Sequence, residues 1–328
     1  MKHGGNVWGS GDPSGWVDFS ANLRPDGPPR WVREAVCDAQ RDIRFYPDPD
    51  MKRAREGLST FLGVSADCVL PVPGGIAAID LALGLSSGCV YIQPPTFSGY
   101  AERARVHGRP CETWSGKCSR GDTLVICNPN NPTGIVRKPA ELLSLLDILS
   151  AGGAGLLVDE AFIEYCPEYS LRGFLRPGLI IAGSLSKILG TPGIRLGYIC
   201  AVPETVRTLR EQMFPWPLDA FASEIAARLP EHTEKVRADR RLNAERRNAF
   251  AGQLQALGAE VFPSESNFLL ADFRREMAGA AEQLKARGIL VRTCASFGLP
   301  DSFWRLAVKT EAENTHLVSE LEEILHAR

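Results

Sequence analysis

The sequence predicts an α/β protein: a large domain with a mostly parallel sheet covered by helices on both faces, then a smaller α+β domain. Two observations lead to that prediction. Between residues 68 and 213, apolar runs of strand length alternate with stretches of helix length, as in a sheet whose crossovers are helices. Past Phe214-Pro215-Trp216-Pro217 the alternation stops, and a long charged helix precedes shorter strand runs. A chain of 328 residues, 44% apolar and 23% charged, has ample material for two cores.

In chain order, residues 1–30 are rich in Gly, Pro and Asn, with Trp8, Trp16 and Phe19 scattered among them. They read as an arm over the active site. A helix is expected at 31–40, a break at Phe45-Tyr46-Pro47-Asp48-Pro49, and a second helix at 51–62. Strands follow at 68–72, 89–93, 123–127, 155–159, 179–183 and 196–201, with helices near 76–85, 99–107, 140–150, 204–213 and 220–228. The large domain is placed at 31–213 and the small one at 214–328. The small domain is expected to hold a helix at 231–257, strands at 260–262 and 268–273, a helix ending at 287, strands at 289–293 and 304–308, and a terminal helix. Ligands of such a sheet bind at the carboxyl ends of its strands.

A net charge of −2 offers no basic field for nucleic acid or an anionic membrane. The arginines of 237–247 are interleaved with Glu234, Asp239 and Glu245, which makes them a solvated helix face. A polar start and the lack of an apolar run of bilayer length point to a cytoplasmic protein. Nine cysteines without a CxxC pair read as reduced and structural, Cys89, Cys127 and Cys200 lying in apolar runs. Cys111 and Cys118 have no nearby Cys/His pair to complete a tetrahedral site, so no metal is expected.

The functional signal centres on Ser184-Leu185-Ser186-Lys187-Ile188-Leu189-Gly190, continued by Thr191-Pro192-Gly193-Ile194-Arg195-Leu196-Gly197. A lysine at a strand end can attack a carbonyl. The hydroxyls of Ser184 and Ser186 flank it, and the guanidinium fork of Arg195 suits a phosphate. Together they fit an aldehyde bearing a phosphate, pyridoxal 5′-phosphate (PLP), although Ser-x-Ser-Lys alone is also an ordinary surface loop. Upstream, Pro73-Gly74-Gly75-Ile76 joins a strand to a helix whose first N–H groups can face an anion. Pro94-Pro95-Thr96-Phe97 puts an aromatic plane at a strand end, where it serves either as core or as a stacking surface for a ring. Leu156-Leu157-Val158-Asp159 buries an acid that needs a partner, and a pyridinium N–H is one.

These motifs, with Asn128-Pro129-Asn130-Asn131-Pro132-Thr133-Gly134 and Asp159-Glu160-Ala161-Phe162, resemble fold-type-I PLP enzymes, specifically the histidinol-phosphate aminotransferase and threonine-phosphate decarboxylase branch. The resemblance covers nearly the whole chain. It implies that Lys187 carries the cofactor's aldehyde, that Ser184 and Arg195 join Gly75 and Ile76 on its phosphate, and that Ser186 also binds the cofactor. Phe97 would stack on the ring, Asn131 would donate to its O3′ oxygen and also contact the substrate, and Asp159 would face its nitrogen. Many aminotransferases carry Tyr where this chain has Phe162, whereas the decarboxylases look like Asp-Glu-Ala-Phe. Arg305 would grip the substrate carboxylate and Arg292 the substrate phosphate. The opening His3-Gly4-Gly5 and Asp18-Phe19-Ser20-Ala21-Asn22 look like threonine-phosphate decarboxylases of cobalamin biosynthesis, which places His3 and Asn22 at the substrate. Tyr46 matches a tyrosine that reaches the PLP phosphate of the neighbouring subunit, implying a homodimer with shared sites. Two departures stand out: a loop at Phe297-Gly298-Leu299 one residue short, and Lys309 where Arg is common.

The resemblance implies PLP-dependent decarboxylation of L-threonine O-3-phosphate or a close phosphoamino acid such as phosphoserine. The second reading is a histidinol-phosphate-type aminotransferase. The two differ in which bond at the substrate's α-carbon stands perpendicular to the ring. A third, a non-catalytic PLP-binding regulator, calls for an appended DNA-binding domain, and no basic helix-turn-helix is present.

Overall fold

The computed structural model describes residues 4–8 and 12–326. After a short strand, β1 (Val17–Asp18), two helices, α1 (Arg30–Ala39) and α2 (Lys52–Leu62), lead into the main sheet. Its strands are β2 (Val69–Val72), β3 (Val90–Ile92), β4 (Cys111–Thr113), β5 (Thr123–Cys127), β6 (Gly155–Glu160), β7 (Leu179–Ser184) and β8 (Gly197–Cys200). They lie in the order β2-β8-β7-β6-β5-β3-β4, with β8 antiparallel to both neighbours and the other pairs parallel. The runs in β5, β6 and β7 are apolar without alternation because both faces are covered, by helices that include α3 (Gly75–Gly84), α4 (Gly99–Val106) and α5 (Pro139–Ala151). At the β7–β8 crossing a Cβ on Gly183 would lie 2.1 Å from the Tyr198 ring, so glycine is what lets that ring cross. The expected mostly parallel sheet covered by helices on both faces is therefore present.

Three features differ from the sequence-based expectation. Strand β4 was not expected: Cys111-Glu112-Thr113 is short, half polar and at the sheet edge, so it shows no strand periodicity. The single strand expected at 289–293 is two: β11 (Ile289–Leu290) runs parallel to β1, and β12 (Arg292–Thr293) runs antiparallel to β13 (Phe303–Ala307). The small antiparallel sheet has the order β12-β13-β10-β9, with β10 at Phe268–Asp272 and β9 at Glu260–Val261.

The third difference concerns where one core gives way to the other. After α6 (Pro203–Glu211), the proline-rich turn at 214–217 looks like a linker, yet α7 (Ala220–Arg228) packs back on α1 and α2. A Cβ on Gly57 would meet the Ala226 carbonyl at 2.2 Å, so α2 and α7 touch through their backbones. Leu218, Ala222, Ile225 and Val236 thus belong to the first hydrophobic core. The second core takes Phe250 and Leu254 from α8 (Thr233–Ala256), together with Phe19 from the arm, and is covered by α9 (Ala278–Ala286) and α10 (Glu311–His326). Helix α8 therefore serves both cores, and the expected N-terminal arm is stitched into the second one. No helix among the described residues is long and apolar enough to cross a membrane.

Candidate active site

A cavity of about 480 Å³ opens where the carboxyl ends of β5, β6 and β7 meet the start of α3, the arm and the edge formed by β12 and β13. Gly74 takes φ 89° just before α3, a conformation suited to glycine, and a Cβ there would lie 2.5 Å from Arg195 Nη2. A Cβ on Gly75 would lie 3.0 Å from the Ser184 Cβ. The helix start, Ser184 and the Arg195 guanidinium therefore share one corner, with Ile76 also on the cavity wall. Arg195 is held there by donating to the Pro192 carbonyl at 2.9 Å. Backbone N–H groups at a helix start, a hydroxyl and a guanidinium form a cradle for an anion. Ser186, buried in the same wall, has a hydroxyl with no hydrogen-bond partner among the described residues. A polar atom so placed is costly unless a ligand meets it.

Lys187 follows in a turn and reaches the cavity. Burial pushes its amine down to about 8, helped by the positive charges of Arg305 and Arg195 and opposed by Asp159. Asp159, at the end of β6, is buried, and burial raises its carboxyl pKa. The Tyr100 hydroxyl, donating to Oδ2 at 2.6 Å, and the Ala161 N–H, donating to Oδ1 at 2.9 Å, act the other way. Tyr100 is fully buried and the sequence reading missed it. The available signal was its position three residues after Phe97, across the start of α4, where the two rings meet edge to face at 5.4 Å. Cys127 also lines the cavity, with Sγ 4.0 Å from Asp159 Oδ2.

The opposite end is made by the small sheet. Arg305 and Arg292 are register partners across β13 and β12, and both are buried. Arg305 donates through Nη1 to Asn131 Oδ1 at 2.8 Å and through Nη2 to the Ser20 carbonyl. With its carbonyl end engaged by Arg305, the Asn131 amide is left to act as a donor. Burial holds the Arg305 pKa down to about 10 and lowers that of Arg292 as well. Arg292 donates to Ser296 Oγ at 2.6 Å and lies 5.3 Å from the Phe297 ring centre. Asn22 is buried in this wall, and its Oδ1 has no hydrogen-bond partner among the described residues. Phe97 and Phe162 complete the lining, and Phe162 is fixed edge to face on Phe268 at 5.1 Å.

Thirteen of the residues singled out from the sequence thus meet in one cavity: Gly75, Ile76, Phe97, Asn131, Asp159, Phe162, Ser184, Ser186, Lys187 and Arg195, with Asn22, Arg292 and Arg305. Tyr46 does not line it within one chain: it is 79% exposed and stacked on Trp216 at 4.5 Å. His3 lies outside the described residues. Ser20 and Phe297 line the cavity without having been assigned a site role from the sequence.

The aminotransferase class I and II family matches residues 14–321. The chain belongs to that family. Its cofactor is pyridoxal 5′-phosphate. Among relatives, the threonine-phosphate decarboxylase of Salmonella typhimurium is 29% identical over 354 residues, covering 98% of this chain and 96% of the relative. A histidinol-phosphate aminotransferase of Symbiobacterium thermophilum is 31% identical over 334 residues, covering 94% and 90%. The crystal structure of L-threonine-O-3-phosphate decarboxylase from Porphyromonas gingivalis superposes with a TM-score of 0.83 at 25% identity, covering 94% of this chain and 99% of that one.

The residues of the cavity fit the cofactor. The cradle at Gly75 would take its phosphate, the hydroxyl of Ser186 that lacks a partner suits the same anion, and the buried Asp159 suits a ring nitrogen that carries a proton. Lys187, with its lowered pKa, lines the cavity and would offer an amine to an aldehyde.

Proposed function

We propose that this chain decarboxylates L-threonine O-3-phosphate, or a close phosphoamino acid such as phosphoserine, to carbon dioxide and the amino-alcohol phosphate. The observation that carries the proposal is the pair Arg292 and Arg305, buried side by side in register at one end of the cavity. Two neighbouring buried cations are each desolvated and repel one another, and a ligand with two separate anionic groups relieves both costs. A phosphoamino acid has those two groups, a carboxylate for Arg305 and a phosphate for Arg292. Histidinol phosphate itself has only the phosphate, although the 2-oxoglutarate used with it in a transamination brings two carboxylates. Phe162 supports the same branch, since the cavity wall has no phenol at that position.

Bound PLP supplies an electron sink for the bond broken at the substrate's α-carbon. The chain's own residues set the rest of the reaction. Arg305 aligns the carboxylate with the bond to be broken, Arg292 holds the phosphate, and Asp159 keeps the proton on the facing ring nitrogen. Lys187, with a pKa near 8, can carry the proton that replaces the lost carboxylate at the α-carbon. Phe97 and Phe162 keep water from the reacting atoms.

A histidinol-phosphate-type aminotransferase is the second reading, favoured by the 31% identity to the enzyme of Symbiobacterium thermophilum. In that case Lys187 removes the α-proton instead. Incubation with phosphothreonine, phosphoserine, or histidinol phosphate plus 2-oxoglutarate, with carbon dioxide and glutamate both assayed, decides between them. Carbon dioxide from phosphothreonine without glutamate from histidinol phosphate supports the decarboxylase, and the reverse result overturns it.

We also infer a homodimer with shared sites. Tyr46 and its neighbours Phe45, Phe214 and Trp216 are exposed, an aromatic surface suited to a second subunit that would receive Tyr46 at its cofactor phosphate. Sedimentation showing a monomer would remove that part. The amino-alcohol phosphate produced suits cobalamin biosynthesis, the pathway of the decarboxylases that the N-terminal motif resembles.

A further inference from the structure

The strap formed by residues 18–27 touches four separately built parts of the molecule. At its start, the Phe19 N–H donates to the Leu290 carbonyl at 2.8 Å, and the Phe19 carbonyl accepts from the Ala307 N–H at 3.0 Å. Next, the Ser20 carbonyl accepts from Arg305 and Asn22 lines the cavity. The Arg24 N–H then donates to the carbonyl of Lys187 at 3.1 Å. Finally, the Arg24 side chain leaves the cavity for α8. Its Nε and Nη2 meet the two carboxylate oxygens of Asp239 at 3.1 and 3.0 Å, and Nη1 donates to the Gly27 carbonyl at 2.5 Å.

An arginine in an arm of this composition is ordinarily a solvated cation. Here its side chain is 16% exposed and that of Asp239 20%, and the fork is bidentate, the geometry that sets a guanidinium apart from an ammonium. The crevice beside the pair, walled by Tyr165 and Ile188, has room for only about 10 Å³. That is at the lower limit for one water molecule. Two turns further along α8, Arg246 holds Asp26 at 2.8 Å, so the strap is pinned to the helix twice.

The lysine loop needs such support. Lys187 sits in a turn, outside any strand ladder or helix, and the backbone bond that the turn gives its carbonyl, from the Gly190 N–H, is long at 3.4 Å. Beside that bond, its carbonyl is met from outside the turn by the Arg24 N–H at 3.1 Å and by the Tyr165 hydroxyl at 3.3 Å. A Cβ on Gly190 would lie 2.9 Å from the Gly27 carbonyl, so strap and loop pack backbone against backbone.

We infer that Arg24 and Asp239 are a positioning pair, which by clamping the strap to α8 holds the Lys187 peptide, and so its amine, in place within the cavity. The inference rests on the reading of Lys187 as the cofactor lysine. Through Ser20 and Arg305, the same strap ties that position to the substrate end.

The test uses the PLP-loaded enzyme and the variants Arg24→Ala, Asp239→Asn, Arg24→Lys and the double variant Arg24→Ala/Asp239→Asn. Turnover, KM, melting temperature and the rate of PLP loss on dialysis, read by absorbance, are measured for each. Because an ångström of misplacement costs on the order of a hundredfold, Arg24→Ala and Asp239→Asn should each lower kcat by about 10- to 100-fold. Both should speed PLP loss while KM changes little. Arg24→Lys should recover part of both, and the double variant should be no worse than either single one. Parent-like kcat and PLP loss in both single variants overturn the inference. So do losses that follow melting temperature alone, with KM rising in step and additive effects in the double variant. Borohydride reduction of the parent that labels a residue other than Lys187 sinks the underlying reading and this one with it, and it is read without any variant.

Discussion

The two ends of the cavity are built in different ways. The end proposed for the cofactor draws Asp159, Ser184, Ser186 and Lys187 from neighbouring strand ends of one sheet, each embedded in a contiguous motif. The end proposed for the substrate gathers Arg292 and Arg305 from a second sheet, Asn131 from the loop after β5, and Asn22 and the Ser20 carbonyl from the arm. The first end is held by strands buried on both faces. The second depends on how two cores meet. Damage at the first should therefore remove chemistry, and damage at the second should change which molecule is handled and how tightly.

The largest effects are expected at the cofactor end. Lys187→Ala should lower kcat by about 10²–10⁴-fold through loss of the proton carrier alone, and borohydride should no longer fix PLP to the chain. Asp159→Ala should leave the fold intact, by circular dichroism, but remove most turnover, since an unprotonated ring is a poor electron sink. If Asp159→Ala turns over at the parent's rate, the ring nitrogen is not held there and the two ends are less distinct than proposed.

Next come the arginines. Arg292→Ala should weaken phosphorylated substrates by on the order of 2–5 kcal/mol, as expected for the loss of a buried charge pair, while Arg305→Ala should hurt all amino acids alike. Calorimetric binding of phosphorylated and unphosphorylated ligands to each variant reads the split. An equal loss for both ligand classes in Arg292→Ala would mean that it does not face the phosphate.

A smaller, spectroscopic effect concerns the boundary between the ends. A phenol at 162 would donate to the cofactor's O3′ oxygen and favour its anionic form. A hydrogen bond to a charged group contributes about 1.5–3 kcal/mol, or roughly one to two pKa units. The pH at which the visible absorbance of the loaded enzyme titrates should accordingly fall by that amount in Phe162→Tyr. A midpoint equal to or above the parent's would place Phe162 away from O3′.

The smallest effect is read on the cofactor-free protein. There, burial holds the Lys187 amine down to about 8, against an ordinary 10.5. Below about pH 8 the amine is charged in both folded and unfolded chains, and the cost of burying it is felt in full. Between 8 and 10.5 the unfolded chain holds a proton that the folded one has shed, so stability rises with pH. Lys187→Met should consequently melt higher than the parent below pH 8, with the advantage fading towards 10.5. A difference in melting temperature that stays constant over this range would show that burial does not perturb the amine.

Residues whose place at the cavity is set by their own segment were legible in the sequence. The apolar runs ending at Asp159 and Ser184 have few ways to be buried other than as central strands, so the side chains just past them fall at the ligand edge of the sheet. Asn131 and Lys187 came with their strings, and even Arg292 and Arg305 were found through the motifs around them, although nothing local says that they are register partners. The edge strand β4, the break between Leu290 and Arg292, and the return of α7 to the first core were decided by the tertiary structure. So were Tyr100 on Asp159, 59 positions away, Ser20 on Arg305, 285 away, and Arg24 on Asp239, 215 away. Backbone propensity and hydrophobic period act over a few residues and determine which segments become strands and helices. A buried hydrogen bond between distant segments exists only after those elements have packed, because the desolvation that makes its partner obligatory is itself a product of the packing.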